Sequence, residues 1–268
     1  MVATNPVFRS DLLDPARCSG WQKQFGQAQP IRHLVVDHFL NQDFARSLFV
    51  HFPSIETMKT HYRGLNEEKA EHSDFSHLHP AFVELHRQLT SPVMLEWLQK
   101  VTGIPGLQTI EDRLGYGLHQ GANQSFLDIH IDYNLHPLRK LYRKLNLIIF
   151  LNESWESNWG GHLELWDADV ANCVQSIAPV FNRCALFECS EISYHGYNRI
   201  SVPEGVTRKS AYQYYFVPAP AGVSFHDTIF KPRPEDSSVK KLRTYSKDWV
   251  KNMAKKTLLQ LGMKKWLR

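Results

Sequence analysis

The spacing of the hydrophobic residues changes near residue 107 from a helical to an extended pattern. Before that point, apolar residues recur every three or four positions, which predicts amphipathic helices. Three helices are expected, each opened by a capping residue or by a proline, which fits the first turn of a helix. They begin at Asn41, Pro80 and Pro92. A strand is predicted ahead of them at residues 31–40, and the polar residues 54–77 are predicted to form a loop or a weak helix.

Beyond residue 107 the chain is predicted to consist of many short strands separated by turn residues. Isoleucine, valine and aromatic residues alternate with polar ones or form short apolar runs, as they do in half-buried or buried strands. The predicted strands are residues 107–118, 126–132, 145–151, 162–166, 174–177, 183–187, 192–197 and 210–217. Strands of this length and spacing are typical of a sandwich, a jelly roll or a barrel.

A basic amphipathic pattern follows a proline-containing stretch near the end of the sequence. From Asp236 onward, apolar residues recur at helical spacing among many lysines, which predicts a C-terminal helix. Its apolar face would pack against the preceding domain, or the helix would lie on an acidic membrane or partner. We therefore divide the chain into an N-terminal segment (residues 1–30), a domain with its supporting helices (residues 31–222) and a basic helical extension (residues 223–268).

Composition and charge narrow the class of protein. The 268 residues are 43% hydrophobic, enough for a sizeable core, and the net charge of +4 does not by itself imply a nucleic-acid partner. No apolar run reaches the roughly 18 residues of a membrane span, and the four cysteines form no C-x-x-C pair. These features predict a soluble, cytoplasmic protein with reduced cysteines. The basic residues 139–144 are interpreted as a solvated loop, with guidance of an anionic substrate as the alternative.

One predicted strand ends in the residue types of a metal half-site. Side chains two positions apart on a strand point to the same face, so the His130 imidazole and the Asp132 carboxylate would project side by side. Two histidines and one carboxylate on one face of a metal, with other positions open, are the ligand set of non-haem Fe(II) oxygenases. The second histidine is expected to be His195, on a later strand that a jelly roll would bring opposite the first.

A receptor for a small acid is predicted shortly after His195. Arg208 and Ser210 would point to the same face of the next strand. A guanidinium group beside a hydroxyl group can bind a carboxylate through parallel, charge-assisted hydrogen bonds. The sequence therefore supplies three metal ligands and, close by, a binding site for an anion.

The order of these residues resembles the 2-oxoglutarate/Fe(II)-dependent oxygenase superfamily, and most closely its prolyl 4-hydroxylase-like branch. The motifs that carry the resemblance are His130-x-Asp132, His195 and Arg208-x-Ser210. Three further stretches are similar to the entry strand, the central strand with its Trp-bearing loop, and the Gly-Gly strand of that branch. They are residues 34–40, residues 145–152 with Trp155, and residues 160–165.

The resemblance implies a mainly β, α+β fold: a double-stranded β-helix, or cupin-like jelly roll, with supporting helices outside one sheet and a C-terminal helix. It implies that His130, Asp132 and His195 bind Fe(II), and that Arg208 and Ser210 bind the distal carboxylate of 2-oxoglutarate. The expected reaction uses O2, with ascorbate as an optional addition, and releases succinate and CO2. It would hydroxylate a C–H bond of an amino acid, a prolyl residue or a small natural product. The expected partner is thus a small-molecule or peptidyl substrate, without nucleic acid.

Two tyrosines that relatives often place in the cosubstrate pocket are replaced in this sequence. Phe150 stands where many relatives have tyrosine before a Leu-Asn pair, and residues 119–121, His-Gln-Gly, occupy a turn that often begins with tyrosine. The missing hydrogen bonds are expected to come from the hydroxyl group of Tyr116, with Tyr212 and Tyr214 as further donors.

Neighbours of the half-site complete the predicted site. Tyr133 and Asn134 follow Asp132 directly and are predicted to face the substrate. Asp128 would share the face of His130 on a regular strand but is expected to lie outside the ligand set. Because related halogenases lack the carboxylate ligand, Asp132 favours hydroxylation. Two alternatives stay open: a cupin-like metal- or ligand-binding protein without catalysis, and a structural jelly roll whose histidines and aspartate are incidental.

Overall fold

The computed structural model describes residues 7–260, which form five α-helices and twelve strands of one antiparallel sheet. The helices are α1 (Pro15–Gln27), α2 (Gln42–Val50), α3 (Pro80–Leu89), α4 (Pro92–Thr102) and α5 (Ser238–Gln260). The strands are β1 (His33–Asp37), β2 (Thr60–Arg63), β3 (Glu67–His72), β4 (Tyr116–Gly121), β5 (Phe126–Ile131), β6 (Leu141–Phe150), β7 (Leu163–Trp166), β8 (Cys173–Ile177), β9 (Arg183–Glu188), β10 (His195–Tyr197), β11 (Arg208–Pro218) and β12 (Ile229–Phe230).

Local signals explain where the predicted helices begin and end. The Asn41 side chain accepts hydrogen bonds from two backbone N–H groups, at 3.0 and 3.2 Å, in the first turn of α2. Ser91 caps α4 in the same way, since its hydroxyl accepts from the N–H of Met94 at 3.3 Å. Helix α4 ends at Thr102 and is capped by Gly103, whose φ of 69° lies in the left-handed region that glycine adopts without strain. The three helices predicted from these signals are confirmed.

The strands follow the order β1-β9-β6-β11-β4-β3-β5-β10-β7-β8, with β2 paired to β3 and β12 paired to β5. All of these pairs are antiparallel. Strand β3 pairs with both β4 and β5 and therefore joins the two halves of the sheet. The sheet curls into a nearly closed jelly roll, and the predicted double-stranded β-helix with helices outside one half is confirmed.

Strand β6 separates the helix layer from the interior of the jelly roll. Its residues Leu145, Leu147 and Ile149 belong to the apolar core shared with the helices. Phe150 and Ile148 belong to a second apolar cluster between the two halves of the sheet. Because side chains alternate along a strand, one face of β6 packs against the helices and the other face packs inside the jelly roll.

Three regions differ from their predictions or were not assigned. Residues 54–77, predicted to be a loop or weak helix, contain β2 and β3, because hydrogen bonds from neighbouring strands outweigh their polar composition. The strand predicted at residues 107–118 begins only at Tyr116. Helix α1 lies in the N-terminal segment, where the sequence predicted no element, and it packs against α4.

The C-terminal segment packs against the sheet through strand β12 and through polar residues of α5. Strand β12 lies beside β5, and α5 contacts β12. On α5, Thr244 is buried and Lys240 is half-buried, whereas the apolar residues Val239 and Leu242 are exposed. The alternative that the apolar face of this helix packs against the domain is therefore wrong for Val239 and Leu242. The apolar residues 261 and 266 of the same helical pattern lie outside the described residues. No helix between residues 7 and 260 is both long and apolar enough to cross a membrane. The boundary at residue 222 stays a prediction.

Candidate metal centre and cavity

Strand β5 carries one extra residue next to the predicted ligand His130. Strand β10 pairs His195 with His130 and Tyr197 with Leu127. The paired residues are two positions apart on β10 but three positions apart on β5, so β5 has one extra residue. Such a β-bulge interrupts the alternation of side chains. As a result, Leu127 and His130 both line the central cavity.

Asp128 lies on the outer face of β5 because of this bulge. Its carboxylate is 2.8 Å from the ammonium group of Lys240 on α5. Gly196, on the opposing strand, allows the close approach: a Cβ atom there would lie 2.6 Å from the carbonyl oxygen of Leu127. The face predicted for Asp128 from a regular strand is wrong, and its position is consistent with a place outside the ligand set.

The structure brings the three predicted metal ligands together. Nε2 of His130 lies 3.6 Å from one carboxylate oxygen of Asp132, and Nε2 of His195 lies 3.7 Å from the other. One donor atom from each of the three side chains lies within 4.8 Å of the other two, and no other such group of three occurs between residues 7 and 260. This spacing is close to that of atoms bound to one ion at about 2.0–2.2 Å each.

Backbone carbonyl groups orient both imidazoles toward Asp132. Nδ1 of His130 donates to the carbonyl oxygen of Asp128 at 2.9 Å, and Nδ1 of His195 donates to that of Ser193 at 3.0 Å. Each Nε2 is then the unprotonated nitrogen that a metal ion requires. Burial and the neighbouring His130 lower the pKa of His195 to about 4, so its imidazole is neutral at neutral pH. The donor set therefore fits a divalent transition-metal ion.

The carboxylate of Asp132 is held in its charged form. Nη1 of Arg143 lies 2.8 Å from Asp132 Oδ2. Burial alone would raise the pKa of Asp132, but the Arg143 guanidinium outweighs it and holds that pKa well below its usual value. The site thus presents one negative charge, which is already partly balanced before any cation binds.

Arg143 was missed as a site residue. Residues 139–144 were interpreted as a solvated loop, yet Arg143 lies on β6 and is buried. Its guanidinium lies 3.6 Å from the ring centre of Tyr133 and 3.7 Å from that of Tyr214. Such stacking suits the planar, weakly hydrated guanidinium group. Alternation along β6 could not have found it, because the pairing with β11 shifts between Leu145 and Arg143, so that Leu145 packs on the helix side and Arg143 lines the cavity.

The predicted anion receptor lies on the interior face of β11. Arg208 is buried, and its Nε donates to the carbonyl oxygen of Gly161 at 2.7 Å. Its guanidinium lies 4.3 Å from the ring centre of Tyr197. Among the residues that the structure describes, no carboxylate forms an ion pair with it. Burial lowers the pKa of Arg208 to about 10, so it stays charged at neutral pH. A buried cation without a carboxylate partner fits an anionic ligand.

Ser210 follows Arg208 on the same face of β11 and is also buried. It pairs across the sheet with Phe150 of β6 and His119 of β4. The departures noted in the sequence, Phe150 and His119, therefore lie at the two sides of this serine.

Tyr116 does not lie where the sequence predicted. It pairs with Gln213, on the far part of β11 from Arg208, and its ring stacks on that of His86 of α3 at 3.7 Å. Its side chain therefore belongs to the helix side of the sheet, and it does not line the cavity. The structure thus places Tyr116 apart from Arg208 and Ser210, on the opposite face of the sheet.

The two predicted substrate residues differ from each other. Tyr133 lines the cavity, and its hydroxyl donates to the carbonyl oxygen of Leu114 at 2.8 Å. Asn134 is buried away from the cavity, and its amide group donates to the Ser224 carbonyl at 3.0 Å and accepts from the N–H of His226 at 3.0 Å. Asn134 thus ties the C-terminal segment to the sheet, and its contact with substrate stays a prediction.

The cavity has a volume of about 290 Å³ and walls rich in charged and hydroxyl groups. Opposite the ligand cluster, Glu71 accepts a hydrogen bond from the Tyr212 hydroxyl at 3.0 Å and lies 3.4 Å from Nε2 of His119. Burial would raise the pKa of Glu71, but His119, Lys69 and Tyr212 lower it to about 2. Glu71 lies in the stretch predicted as a loop, so no pattern in the sequence placed it in the site.

Comparison with known proteins agrees with this geometry. Residues 116–216 match the family model of the 2OG-Fe(II) oxygenase superfamily. Prolyl 3-hydroxylase OGFOD1 of Mus musculus is 26% identical over 208 residues, which cover 76% of this chain. The matched part is 35% of that protein, so the chain spans about a third of the length of this relative.

Solved structures with similar folds include two prolyl hydroxylases. A Pseudomonas putida prolyl-4-hydroxylase aligns with a TM-score of 0.55 at 17% identity, covering 75% of this chain and 100% of that one. A Trichoplax adhaerens prolyl hydroxylase, in complex with a hypoxia inducible factor peptide fragment, aligns with a TM-score of 0.53 at 15% identity, covering 77% and 95%.

HygX from Streptomyces hygroscopicus, with nickel and 2-oxoglutarate bound, aligns with a TM-score of 0.51 at 12% identity, covering 73% of this chain and 86% of that one. At such identities these likenesses concern the fold. With the family match over β4 to β11 and the ligand cluster within it, they lead to one conclusion: residues 116–216 match the 2OG-Fe(II) oxygenase superfamily, and the chain has a fold like that of prolyl 4-hydroxylases.

Proposed function

We propose that this protein is an Fe(II)- and 2-oxoglutarate-dependent dioxygenase that hydroxylates a C–H bond of its substrate. The observation that carries the proposal is the cluster of His130, Asp132 and His195 beside a cavity. Both imidazoles have Nδ1 engaged by a carbonyl oxygen, so both Nε2 atoms can bind one ion. A two-histidine, one-carboxylate set leaves other positions of that ion open for small ligands.

The residues of the chain would bind and orient the reacting groups, while iron with 2-oxoglutarate and O2 supplies the oxidising chemistry. His130, Asp132 and His195 would hold the iron. Arg208, with Ser210, would bind the distal carboxylate of 2-oxoglutarate, since its guanidinium has no carboxylate partner among residues 7–260. Arg143 would keep Asp132 ionised and oriented, because it contacts the carboxylate oxygen at 2.8 Å.

The substrate is proposed to be a small molecule or a peptidyl residue. The similar proteins include a prolyl hydroxylase in complex with a peptide fragment and HygX, of which another structure has hygromycin B bound, so the fold is found with both kinds of bound molecule. The polar walls of the cavity, with Glu71 and Tyr212, would favour a substrate that forms hydrogen bonds. An amino acid, a prolyl residue or a small natural product all meet this condition.

A non-catalytic, cupin-like metal-binding protein is the alternative of a different class. It would share the three ligands but would have no need for a buried cation beside them. Burial of an unpaired charge is costly unless a ligand compensates for it. Arg208 therefore favours the enzyme.

The first test is binding of iron and 2-oxoglutarate without oxygen. Addition of both to the apo-protein is expected to give a visible charge-transfer absorption, and admission of O2 is expected to give succinate. His130→Ala should weaken metal binding by at least about 100-fold, more than loss of an outer partner of a ligand costs. His162→Ala is the matched control, because His162 is hydrogen-bonded to Ser176 and lies outside the cluster. Absence of both absorption and succinate with the wild-type protein would contradict the proposal.

A further inference from the structure

The backbone of Asp128 is the support on which the His130 ring is oriented. The Asp128 carbonyl oxygen accepts the hydrogen bond from Nδ1 of His130 at 2.9 Å. The Asp128 N–H donates to the carbonyl oxygen of Asn66 at 2.8 Å. Because Asp128 lies in the bulge of β5, regular pairing with β10 does not by itself fix this peptide. Its position depends on the groups behind it.

The side chain of Asp128 is held by cations of the C-terminal segment. Only 2% of Asp128 is exposed, and its carboxylate lies 2.8 Å from Nζ of Lys240 and 3.9 Å from Nε of Arg233. A carboxylate so placed would be strongly unfavourable without a cation, so removal of Lys240 should displace Asp128 toward water or toward Arg233.

A second link reaches the same peptide from α5. The hydroxyl of Thr244 donates to Oδ1 of Asn66 at 2.9 Å, and both residues are buried. Asn66 is the residue whose carbonyl oxygen accepts from the N–H of Asp128. Helix α5 therefore contacts the support of His130 twice, through Lys240 on the side chain of Asp128 and through Thr244 and Asn66 on its backbone.

Strand β12 adds a third contact on the same side of β5. It pairs Phe230 with His130 and Ile229 with Ile131, and the N–H of Lys231 donates to the carbonyl oxygen of Ile129 at 2.8 Å. The C-terminal segment thus covers the edge of β5 along the length of the metal-binding motif.

We propose that Lys240 and Asp128 are positioning residues for the metal ligand His130, so that helix α5 helps to set the metal affinity of the site. This inference rests on the proposed iron-binding function. Lys240 fixes the Asp128 side chain, Asp128 fixes the carbonyl group that orients the His130 ring, and Thr244 steadies the same peptide through Asn66. None of these residues touches the metal.

The test is a titration of the full-length apo-protein with Co(II) alone, followed by its visible ligand-field spectrum. Lys240→Met is expected to raise the Co(II) dissociation constant by about 10- to 100-fold and to change the spectrum, as loss of outer partners of metal ligands does. Lys240→Arg, which keeps the charge, should restore most of the affinity. Arg243→Met is the matched control: it removes an exposed cation from the same helix and should leave both the affinity and the spectrum unchanged.

A double variant separates positioning from general packing. In Asp128→Asn/Lys240→Met the uncompensated carboxylate is gone while the carbonyl group remains, so affinity should recover relative to Lys240→Met alone. If Lys240→Met does not fold, Thr244→Val tests the inference in its place, and it is expected to weaken Co(II) binding several-fold. Equal Co(II) affinity and spectra in the wild type and in Lys240→Met, or in Thr244→Val when Lys240→Met does not fold, would overturn the inference and leave the proposed function intact. A wild-type protein that binds no Co(II) would overturn both.

Discussion

Two buried arginines of the interior differ in their partners, and this difference separates their roles. Arg143 is paired with Asp132 at 2.8 Å and stacked between two tyrosine rings. Arg208 is equally buried, but in the described part of the chain it has only the Gly161 carbonyl group and aromatic rings around it. The first arginine completes the ligand cluster, whereas the second is suited to an anion that comes from outside.

Replacement of Arg208 should separate binding of 2-oxoglutarate from binding of metal. Arg208→Met is expected to weaken 2-oxoglutarate binding by about 10- to 150-fold, since hydrogen bonds to charged groups contribute about 1.5–3 kcal/mol. Metal affinity should change little, because Arg208 contacts none of the three ligands. Calorimetric titration of the Co(II)-loaded protein with 2-oxoglutarate measures this effect.

The control for Arg208 is Arg199→Met, which removes an exposed arginine near the opposite end of the same loop. It should leave 2-oxoglutarate binding unchanged. The ligand-free Arg208→Met protein should be as stable as the wild type or more so, because an unpaired buried charge is lost. Unchanged 2-oxoglutarate affinity in Arg208→Met would contradict its assignment as the anion receptor.

At the scale of single elements, the bulge in β5 decides which side chains meet. A regular strand would place Asp128 beside His130 in the cavity, and one extra residue sends it to the outer face instead. Gly196 makes this arrangement possible because it faces the bulge without a side chain. The bulge and Gly196 opposite it therefore form one structural unit. This unit places His130 in the cavity and places Asp128 against Lys240 on the outer face of the sheet.

Gly196→Ala tests this unit. The added methyl group would lie 2.6 Å from the Leu127 carbonyl oxygen and 3.0 Å from that of Asp128, both backbone atoms, so the two strands must separate. We expect a loss of stability of about 1–3 kcal/mol in urea unfolding, together with weaker Co(II) binding.

Gly20→Ala is the matched control for Gly196→Ala. Gly20 lies within α1 with nothing near the position of the new methyl group, and alanine favours a helix by about 0.5–1 kcal/mol over glycine. That variant should keep or gain stability and should bind Co(II) normally. If Gly196→Ala behaves like Gly20→Ala, the close approach of the strands is not a constraint on the site.

At the scale of the whole molecule, the C-terminal segment and the jelly roll share one sheet and one network of charges. Strand β12 pairs with β5, Asn134 binds the backbone of Ser224 and His226, and Lys240 pairs with Asp128. The sequence suggested a division at residue 222. These contacts instead predict that the domain and the extension unfold together.

Deletion of residues 223–268 should therefore damage more than the end of the chain. Loss of the partner of a buried charge costs about 3–5 kcal/mol, and each kcal/mol lowers the Tm of a protein near this size by about 2–4 °C. We expect the truncated protein to melt on the order of 10 °C lower and to lose most of its Co(II) affinity, as measured by calorimetry. Asp128→Asn in the truncated protein should recover part of the Tm. Normal stability of the truncated protein would support residues 31–222 as an independent domain.

Much of the fold could be predicted from short-range patterns. The helices that begin after Asn41, at Pro80 and at Pro92 depend on capping groups and apolar spacing within a few residues. The strands after residue 116 depend on alternation within a few residues as well. By contrast, β2 and β3 are polar, and only their neighbours in the sheet make them strands.

The sequence by itself determined the chemical character of the site, because His130 and Asp132, and likewise Arg208 and Ser210, lie two positions apart on a strand, with His195 between the two pairs. Only the tertiary structure decided where the surrounding residues point. It moved Tyr116 to the helix side and Asp128 to the outer face, and it buried Arg143.

The physical reason is that these positions depend on contacts between distant parts of the chain. A bulge is defined by a partner strand, and the hydrogen bond that steadies it joins Asn66 to Thr244, 178 positions later. The burial of Arg143 likewise depends on Asp132 and the adjacent ring of Tyr133, and on the ring of Tyr214 from strand β11. Spacing along one strand can specify which groups could bind a metal, whereas the folded sheet specifies what holds those groups in place.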